Sequence, residues 1–113
     1  MKIDRSLDPE VAVIHVPGRL DATTQSQLET LVLQLFSEGV TRLVLDFSEL
    51  DYISSAGLRA VLVAVKQCRA ASSQLVLAGT NKRVLEVIDL AGFKDLLGLA
   101  PDVPIAIAQA KRG

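Results

Sequence analysis

Apolar and polar positions follow two different rhythms along this chain. Short continuous apolar runs at 11–16, 43–47 and 74–78 are typical of strands buried on both faces of a sheet. After each run, apolar residues recur every three or four positions, which indicates one stripe of an α-helix. The pattern therefore predicts alternating strands and helices, and strand–helix–strand order implies parallel pairing with right-handed crossovers.

The N-terminal part of the chain predicts a β-hairpin followed by a helix. Residues 2–7 are a weak strand candidate, and Asp8-Pro9 marks a turn before the first apolar run. Residues 18–21 are then expected to form a loop, with Asp21 as the N-cap of the next helix. Gly39 suits the left-handed position that follows a helix C-terminus. The core-facing stripe of this helix is Leu28, Leu31, Val32, Leu35 and Phe36.

A strand, a polar loop and a serine-capped helix form the centre of the chain. The apolar run at 43–47 is interrupted only by Asp46. Ser54 and Ser55 precede a helical pattern, and serine is favoured at N-caps because its hydroxyl oxygen accepts a bond from a free backbone N–H. We therefore expect a helix over 55–71 with hydroxyls at the positive end of its dipole. Its apolar stripe is Leu58, Val61, Leu62, Val65 and Cys68.

A third strand–helix unit and a final helix complete the pattern. Asn81 suits an N-cap after the strand at 74–78, and Gly92 stops the helix that follows. Residues 105–111 predict a last short helix with Pro104 in its first turn. The alternation indicates an α/β domain with an N-terminal hairpin, a mixed and mostly parallel sheet of four to five strands, and about four helices.

Composition and charge narrow the class of protein. Half of the 113 residues are apolar, which is enough for a core, and the length suits one domain over 1–113. Twelve basic and thirteen acidic residues give a net charge of −1, so nothing indicates a nucleic-acid partner. Because there is no N-terminal signal core and no run of roughly 18 apolar residues, we expect a cytoplasmic protein without membrane insertion. The single cysteine, Cys68, is interpreted as a core residue.

Motifs for catalysis and for cofactors are absent from the sequence. It contains no glycine-rich phosphate loop and no G-x-S-x-G nucleophile elbow. One histidine and one cysteine cannot form a dense zinc site, and His15 has no ligand-type residue spaced beside it, so we interpret it as an ordinary strand residue. Asp46, Glu49 and Asp51 cluster where α/β folds place ligands, but no second polar cluster accompanies them. We therefore expect a binding module without a cofactor rather than an enzyme.

Three short segments form a recognisable set. They are Leu45-Asp46-Phe47 at the end of the buried strand, the run from Asp51 to Leu58 before the helix, and the upstream turn Gly18-Arg19-Leu20-Asp21. Together they resemble the STAS domain of anti-sigma-factor antagonists, over nearly the whole chain, and imply a STAS-like single domain. In that family, a partner kinase that is also the anti-sigma factor phosphorylates a serine at this helix start. A PP2C-type phosphatase removes the phosphate.

The resemblance implies a phosphorylation switch at the helix start. Aligned on Gly57-Leu58, the phosphoacceptor is Ser55, with Ser54 as the alternative. The unphosphorylated antagonist binds the anti-sigma factor serine kinase and frees the sigma factor, which regulates transcription initiation. A second hypothesis makes the chain a STAS accessory module of a lipid or anion transporter, or of a signalling complex, that binds a small ligand or a partner.

A partner-binding surface is predicted around the two serines. A helical wheel places small residues and one valine opposite the apolar stripe, which suits close docking of another protein, although a lone exposed valine is also ordinary. Two aspartates are expected to converge beside the phosphoacceptor at one sheet edge, where their simpler role is capping. The predicted partner-binding residues are Asp21, Asp46, Ser54, Ala56, Arg59, Ala60 and Val63.

Overall fold

A computed structural model describes residues 1–112 as an α/β domain. The strands are β1 (Lys2–Asp4), β2 (Val11–His15), β3 (Gly18–Leu20), β4 (Arg42–Asp46), β5 (Leu50–Ile53), β6 (Leu75–Ala78) and β7 (Gly98–Ala100). The helices are α1 (Gln25–Ser37), α2 (Ser55–Ala70), α3 (Lys82–Leu90) and α4 (Val103–Arg112), with a 3₁₀ turn at Lys94–Leu96. The main sheet has the order β1-β2-β4-β6-β7, in which only the β1–β2 pair is antiparallel. The predicted hairpin and mostly parallel sheet are confirmed.

Helices cover both faces of the main sheet, which explains the continuous apolar runs of its central strands. Side chains at successive strand positions point to opposite faces. One set packs with α1, α2 and α3, and the alternate set packs with α4. Cys68 lies in the larger layer, where burial raises the pKa of its thiol to about 11, so its interpretation as a core residue is confirmed. The buried residues of the α4 layer are Val11, Val13, Val44, Val76, Ala78, Ala106 and Ala110.

A second, two-stranded sheet lies where the sequence predicted loops. Strand β3 pairs in parallel with β5, so that Arg19 lies opposite Tyr52 and Leu20 opposite Ile53. The prediction of a loop over 18–21 is therefore wrong for its first three residues. These strands are three and four residues long and carry polar side chains, so they lack the apolar run that marks the strands of the main sheet.

Helix α1 begins later than predicted. Its N-cap is Thr24, not Asp21. The Asp21 carboxylate instead accepts bonds from the amide and the hydroxyl of Thr23, at 2.9 and 2.6 Å, and so closes a turn that precedes the helix. The Thr24 hydroxyl holds this turn by donating to the Arg19 carbonyl at 2.9 Å and accepting from the Asp21 amide at 3.0 Å. The predicted stripe is confirmed, since Leu28, Val32 and Leu35 are buried.

The remaining helix ends agree closely with the sequence pattern. Asn81 caps α3, because its side-chain oxygen accepts from the Val84 amide at 2.9 Å. Gly39 and Gly92 adopt φ values of 82° and 84° just after α1 and α3, a conformation that glycine adopts without a steric cost. Within residues 1–112, no helix combines the length and the apolar character that crossing a bilayer requires.

Candidate functional site

The two serines at the start of α2 have different surroundings. Ser54 is the N-cap, and its hydroxyl oxygen accepts a hydrogen bond from the Gly57 amide at 3.2 Å, which confirms the predicted serine cap. Ser55 is the first residue of the helix and its side chain is exposed. Within residues 1–112, no hydrogen bond engages the Ser55 hydroxyl. Ser55 is therefore the serine whose oxygen is available to a reaction partner.

Close backbone packing fixes the start of α2 against strand β3. The Leu20 carbonyl accepts a hydrogen bond from the Ser54 amide at 3.0 Å. A Cβ atom at Gly57 would collide with this same carbonyl oxygen and would lie 3.0 Å from Cγ1 of Ile53. Only a residue without a side chain fits there, so the glycine of the Ser-Ala-Gly-Leu segment is explained by packing. The helix start is consequently a rigid platform for Ser55.

Asp21 lies close to this platform because it directly follows Leu20 in the chain. Hydrogen bonds from the Thr23 hydroxyl and amide, together with Arg19, hold the pKa of the Asp21 carboxyl below its usual value. The carboxylate therefore stays ionised at neutral pH. The expected convergence of this residue with the helix start agrees with the Leu20–Ser54 hydrogen bond.

Asp46 does not lie beside the serines, and the predicted convergence is wrong for this residue. Val44, two positions earlier on β4, packs in the α4 layer, so strand alternation places Asp46 on the same face, opposite α2. There the carboxylate contacts Nδ1 of His15 at 2.7 Å and accepts from the Ser48 amide at 3.0 Å. Although burial alone would raise it, these bonds from Ser48 and His15 lower the pKa of Asp46. The sequence missed this partner of His15, because 31 residues separate the pair.

The exposed face of α2 is a ridge rather than the small-residue face that we predicted. The exposed residues of α2 are Ser55, Arg59, Val63, Lys66, Arg69 and Ala70, of which the first four are spaced three or four positions apart. We call these four residues the α2 ridge. Ala56, at the helix start, is half-buried. The ridge presents one apolar and two basic side chains in line with the Ser55 hydroxyl.

Ala60 lies in the core, and its predicted place on the docking face is wrong. It is 3% exposed and packs with Ala64 where α2 meets α1. The predicted apolar stripe of α2 is confirmed, because Val61, Val65 and Cys68 are buried, and Leu58 and Leu62 are half-buried and pack against the same core. Gly57, Ala60 and Ala64 are buried as well, because small residues allow the helix to approach its neighbours closely. A shallow cavity of ≈60 Å³ remains along this seam, lined by Glu29, Val32, Leu33, Ala60, Val63, Ala64 and Gln67.

Arg19 and Tyr52 form a surface pair that the sequence did not predict. The Arg19 guanidinium lies 4.2 Å from the centre of the Tyr52 ring, in cation–π geometry, and its Nε donates to Asp21 at 3.3 Å. The pair spans β3 and β5 in register. The two residues are 33 positions apart in the sequence, so their contact can be predicted only when the pairing of β3 with β5 is known. Arg19 thus links Asp21 and Tyr52 through direct side-chain contacts.

The described residues around the start of α2 offer a hydroxyl, a carboxylate and basic side chains. Among residues 1–112, no group of three or more His, Cys, Asp or Glu side chains is placed to hold a metal ion. The features that converge near Ser55 are a helix N-terminus, the ionised Asp21 and the α2 ridge. This arrangement can present a hydroxyl to another protein and can accommodate negative charge added at the helix start.

The fold and this helix start together define a known class of domain. Residues 2–106 match the family model of the STAS domain. The chain belongs to the STAS domain family.

Relatives and a solved structure place the chain more closely. It is 34% identical over 111 residues to a Bordetella bronchiseptica protein named "Putative anti-sigma factor antagonist BtrV", across 98% of this chain and 96% of that protein. It is 33% identical over 85 residues to the anti-sigma-B factor antagonist of Listeria monocytogenes, across 74% of both chains. The unphosphorylated anti-sigma factor antagonist SpoIIAA superposes with a TM-score of 0.77 at 19% identity, covering 99% of this chain and 97% of that one. At this identity the structural likeness concerns the fold.

Proposed function

We propose that this protein is an anti-sigma-factor antagonist that binds an anti-sigma factor when Ser55 is unphosphorylated and releases it when Ser55 is phosphorylated. The observation that carries the proposal is the exposed, unbonded Ser55 hydroxyl on a helix start fixed by the Leu20–Ser54 bond and Gly57. The names of the relatives in Bordetella and Listeria support it. The protein acts by binding, and the effect of that binding is on transcription initiation.

The partners in this proposal are an anti-sigma factor that is also a serine kinase and a PP2C-type phosphatase, both met in the cytoplasm. In the kinase, the Ser55 oxygen attacks the γ-phosphorus of ATP. The new O–P bond forms as the bond to the β-phosphate bridge breaks, ADP leaves, and the hydroxyl proton passes to a base of the kinase. The phosphatase adds water to the phosphoserine, which restores the hydroxyl and releases inorganic phosphate.

The charge added by phosphate explains how the switch leaves the fold intact. Phosphate on Ser55 adds about −1.5 to −2 charges at neutral pH. At a helix N-terminus such charge is stabilising by up to about 2 kcal/mol. In a docked interface an unpaired phosphate would instead cost several kcal/mol in desolvation. Phosphorylation is therefore expected to abolish docking while the domain stays folded.

Ser55 is preferred over Ser54 as the phosphoacceptor on structural grounds. The Ser54 oxygen is engaged by the Gly57 amide, and its phosphorylation would disturb the cap that begins α2. The proposed docking surface consists of Asp21, Ser54, Ala56 and the α2 ridge. Ala60 and Asp46 are left out of it, since they lie in the core and on the opposite face of the sheet.

Phosphate mapping tests this proposal. The protein is incubated with ATP and an anti-sigma factor kinase from the same organism, and the modified residue is identified by mass spectrometry. We expect one phosphate on Ser55, retained in Ser54→Ala and lost in Ser55→Ala. Phosphate found reproducibly on Ser54, Ser48 or Ser73 would contradict the assignment. Saturable binding of an anion or lipid, with no kinase binding, would favour the transporter-module hypothesis.

A further inference from the structure

Arg59 is placed to contact a phosphate on Ser55. The two residues are four positions apart on α2, and both side chains are exposed. Side chains at this spacing are neighbours on one helix face. An acidic group four residues before a basic one is also the favourable order, because each charge then complements the helix dipole.

The side chain of Arg59 is available for such a contact. Within residues 1–112, none of the ion pairs involves Arg59. Its neighbours one turn away on the helix are Ser55 and Val63, neither of which is charged. The first turn of α2 itself also contains no acidic residue that could compete for the Arg59 side chain.

Arg19, on the neighbouring strand β3, is already engaged. It stacks on Tyr52 at 4.2 Å and donates to Asp21 at 3.3 Å. Movement of its guanidinium to a phosphate would break both contacts and leave the Asp21 carboxylate without its cation. Arg59 loses no ion pair when it turns toward Ser55.

We propose that Arg59 is the intramolecular counter-ion of phosphorylated Ser55. Phosphorylation then withdraws a basic side chain from the docking surface and adds negative charge to that surface. This inference rests on the proposed phosphorylation of Ser55. In the unphosphorylated protein, Arg59 and Lys66 give the α2 ridge two positive charges, which suit an acidic partner surface. In the phosphorylated protein, Arg59 turns to the phosphate and the start of the ridge becomes negative.

The test measures the phosphate directly and needs no kinase. Phosphoserine is installed at position 55 during translation, and its second pKa is read from a ³¹P NMR titration in the parent and in Arg59→Gln. Because a nearby cation favours the dianion, we expect the pKa to rise by roughly 0.3 of a pH unit when Arg59 is neutralised. Arg59→Lys, which keeps the charge, should retain most of the parent value.

Lys66→Gln is the matched control on the same helix. It removes one exposed charge of the same sign, but it lies eleven residues from Ser55, about 16 Å along the helix and beyond the screening length at physiological salt. Its phosphoserine pKa should equal that of the parent. Equal shifts in Arg59→Gln and Lys66→Gln, or no shift in either, would overturn the inference.

The pKa test and the phosphate-mapping test fail independently. If the kinase does not modify Ser55, the proposed function fails, whatever the NMR titration gives. If Ser55 is modified but the titration shows no specific effect of Arg59, the switch stands and the role of Arg59 is wrong. Arg59 and Lys66 are exposed, so we expect the same melting temperature for the parent and the three variants. The melting curves also show that each protein is folded.

Discussion

The carbonyl oxygen of Leu20 accepts the Ser54 amide at 3.0 Å and also occupies the space that a Gly57 side chain would need. One backbone atom of β3 therefore fixes both the direction and the depth of the α2 start. The segment around Asp21 and the segment around Ser55 are held together by this contact, although they are far apart in the sequence. The charged residue Asp21 and the proposed phosphorylation site Ser55 therefore lie on neighbouring segments.

Replacement of Gly57 with alanine tests that contact. Alanine is the better helix former by about 1 kcal/mol, but its methyl group would collide with the Leu20 carbonyl. Overpacking of this kind costs roughly 1–3 kcal/mol, so we expect Gly57→Ala to be less stable than the parent in urea denaturation. Ser55→Ala, an exposed change in the same turn, should stay within about 0.5 kcal/mol. A Gly57→Ala protein at least as stable as the parent would contradict the close packing.

Substitutions at Ala60 and Val63 distinguish the buried side of α2 from the exposed α2 ridge. Ala60→Arg introduces a charge at a site that is 3% exposed, and we expect it to destabilise the fold by at least about 3 kcal/mol. Val63→Arg, at a site that is 44% exposed, should leave the melting temperature nearly unchanged. In the docked complex, however, the added bulk and charge at Val63 should clash with the partner.

Melting curves and binding to the anti-sigma factor are measured for both variants. A stable Ala60→Arg protein would mean that α2 is rotated from the orientation described. Unchanged binding by Val63→Arg would remove the α2 ridge from the proposed interface.

The Asp46–His15 pair makes ionisation of the Asp46 carboxylate contribute to stability in acid. The pKa of Asp46 is lowered below its ordinary value of 3.8, so its bonds contribute stability that is complete above that pH. This contribution is lost as the pH falls through the lower folded-state pKa, when the carboxylate is protonated. Asp46→Asn cannot be protonated there, so we expect it to be less stable than the parent at pH 7 and to approach it as the pH falls below about 4.

Urea midpoints between pH 7 and pH 3 measure this convergence, and Glu49→Gln is the control because Glu49 is an exposed neighbour in the same loop. The urea midpoint of Glu49→Gln should change with pH in parallel with that of the parent. A constant difference between Asp46→Asn and the parent across this range would mean that the Asp46 carboxylate does not contribute through ionisation.

The sequence predicted four of the five strands of the main sheet and its helices because their signals are local, but it missed the three-residue strand β7. Strands β2, β4 and β6 are continuous apolar runs covered on both faces, and Ser54 and Asn81 are caps that bind residues three positions away. The small sheet of β3 and β5 was missed, since strands this short and polar are stabilised by each other rather than by a hydrophobic pattern.

The prediction of the site was partly wrong for two physical reasons. On α2, the apolar stripe was predicted correctly but Ala60 was placed on the exposed face, whereas close contact with α1 and β3 buries Gly57, Ala60 and Ala64 as well. The face on which Asp46 lies depends on the register of β4, and its pairing with His15 depends on the adjacent strand β2. Neither the depth of packing nor the strand neighbours can be inferred from the spacing of residue types.

The central claim is that phosphate on Ser55 abolishes partner binding without unfolding the domain. Calorimetric titration of the anti-sigma factor kinase with the unmodified protein and with protein carrying phosphoserine at position 55 measures it directly, beside a thermal melt of each form. We expect binding by the unmodified protein, loss of binding in the phosphorylated form, and a melting temperature that is equal or higher after phosphorylation, since the charge lies at a helix N-terminus. Equal affinity of the two forms, or loss of binding that is accompanied by unfolding, would contradict the switch.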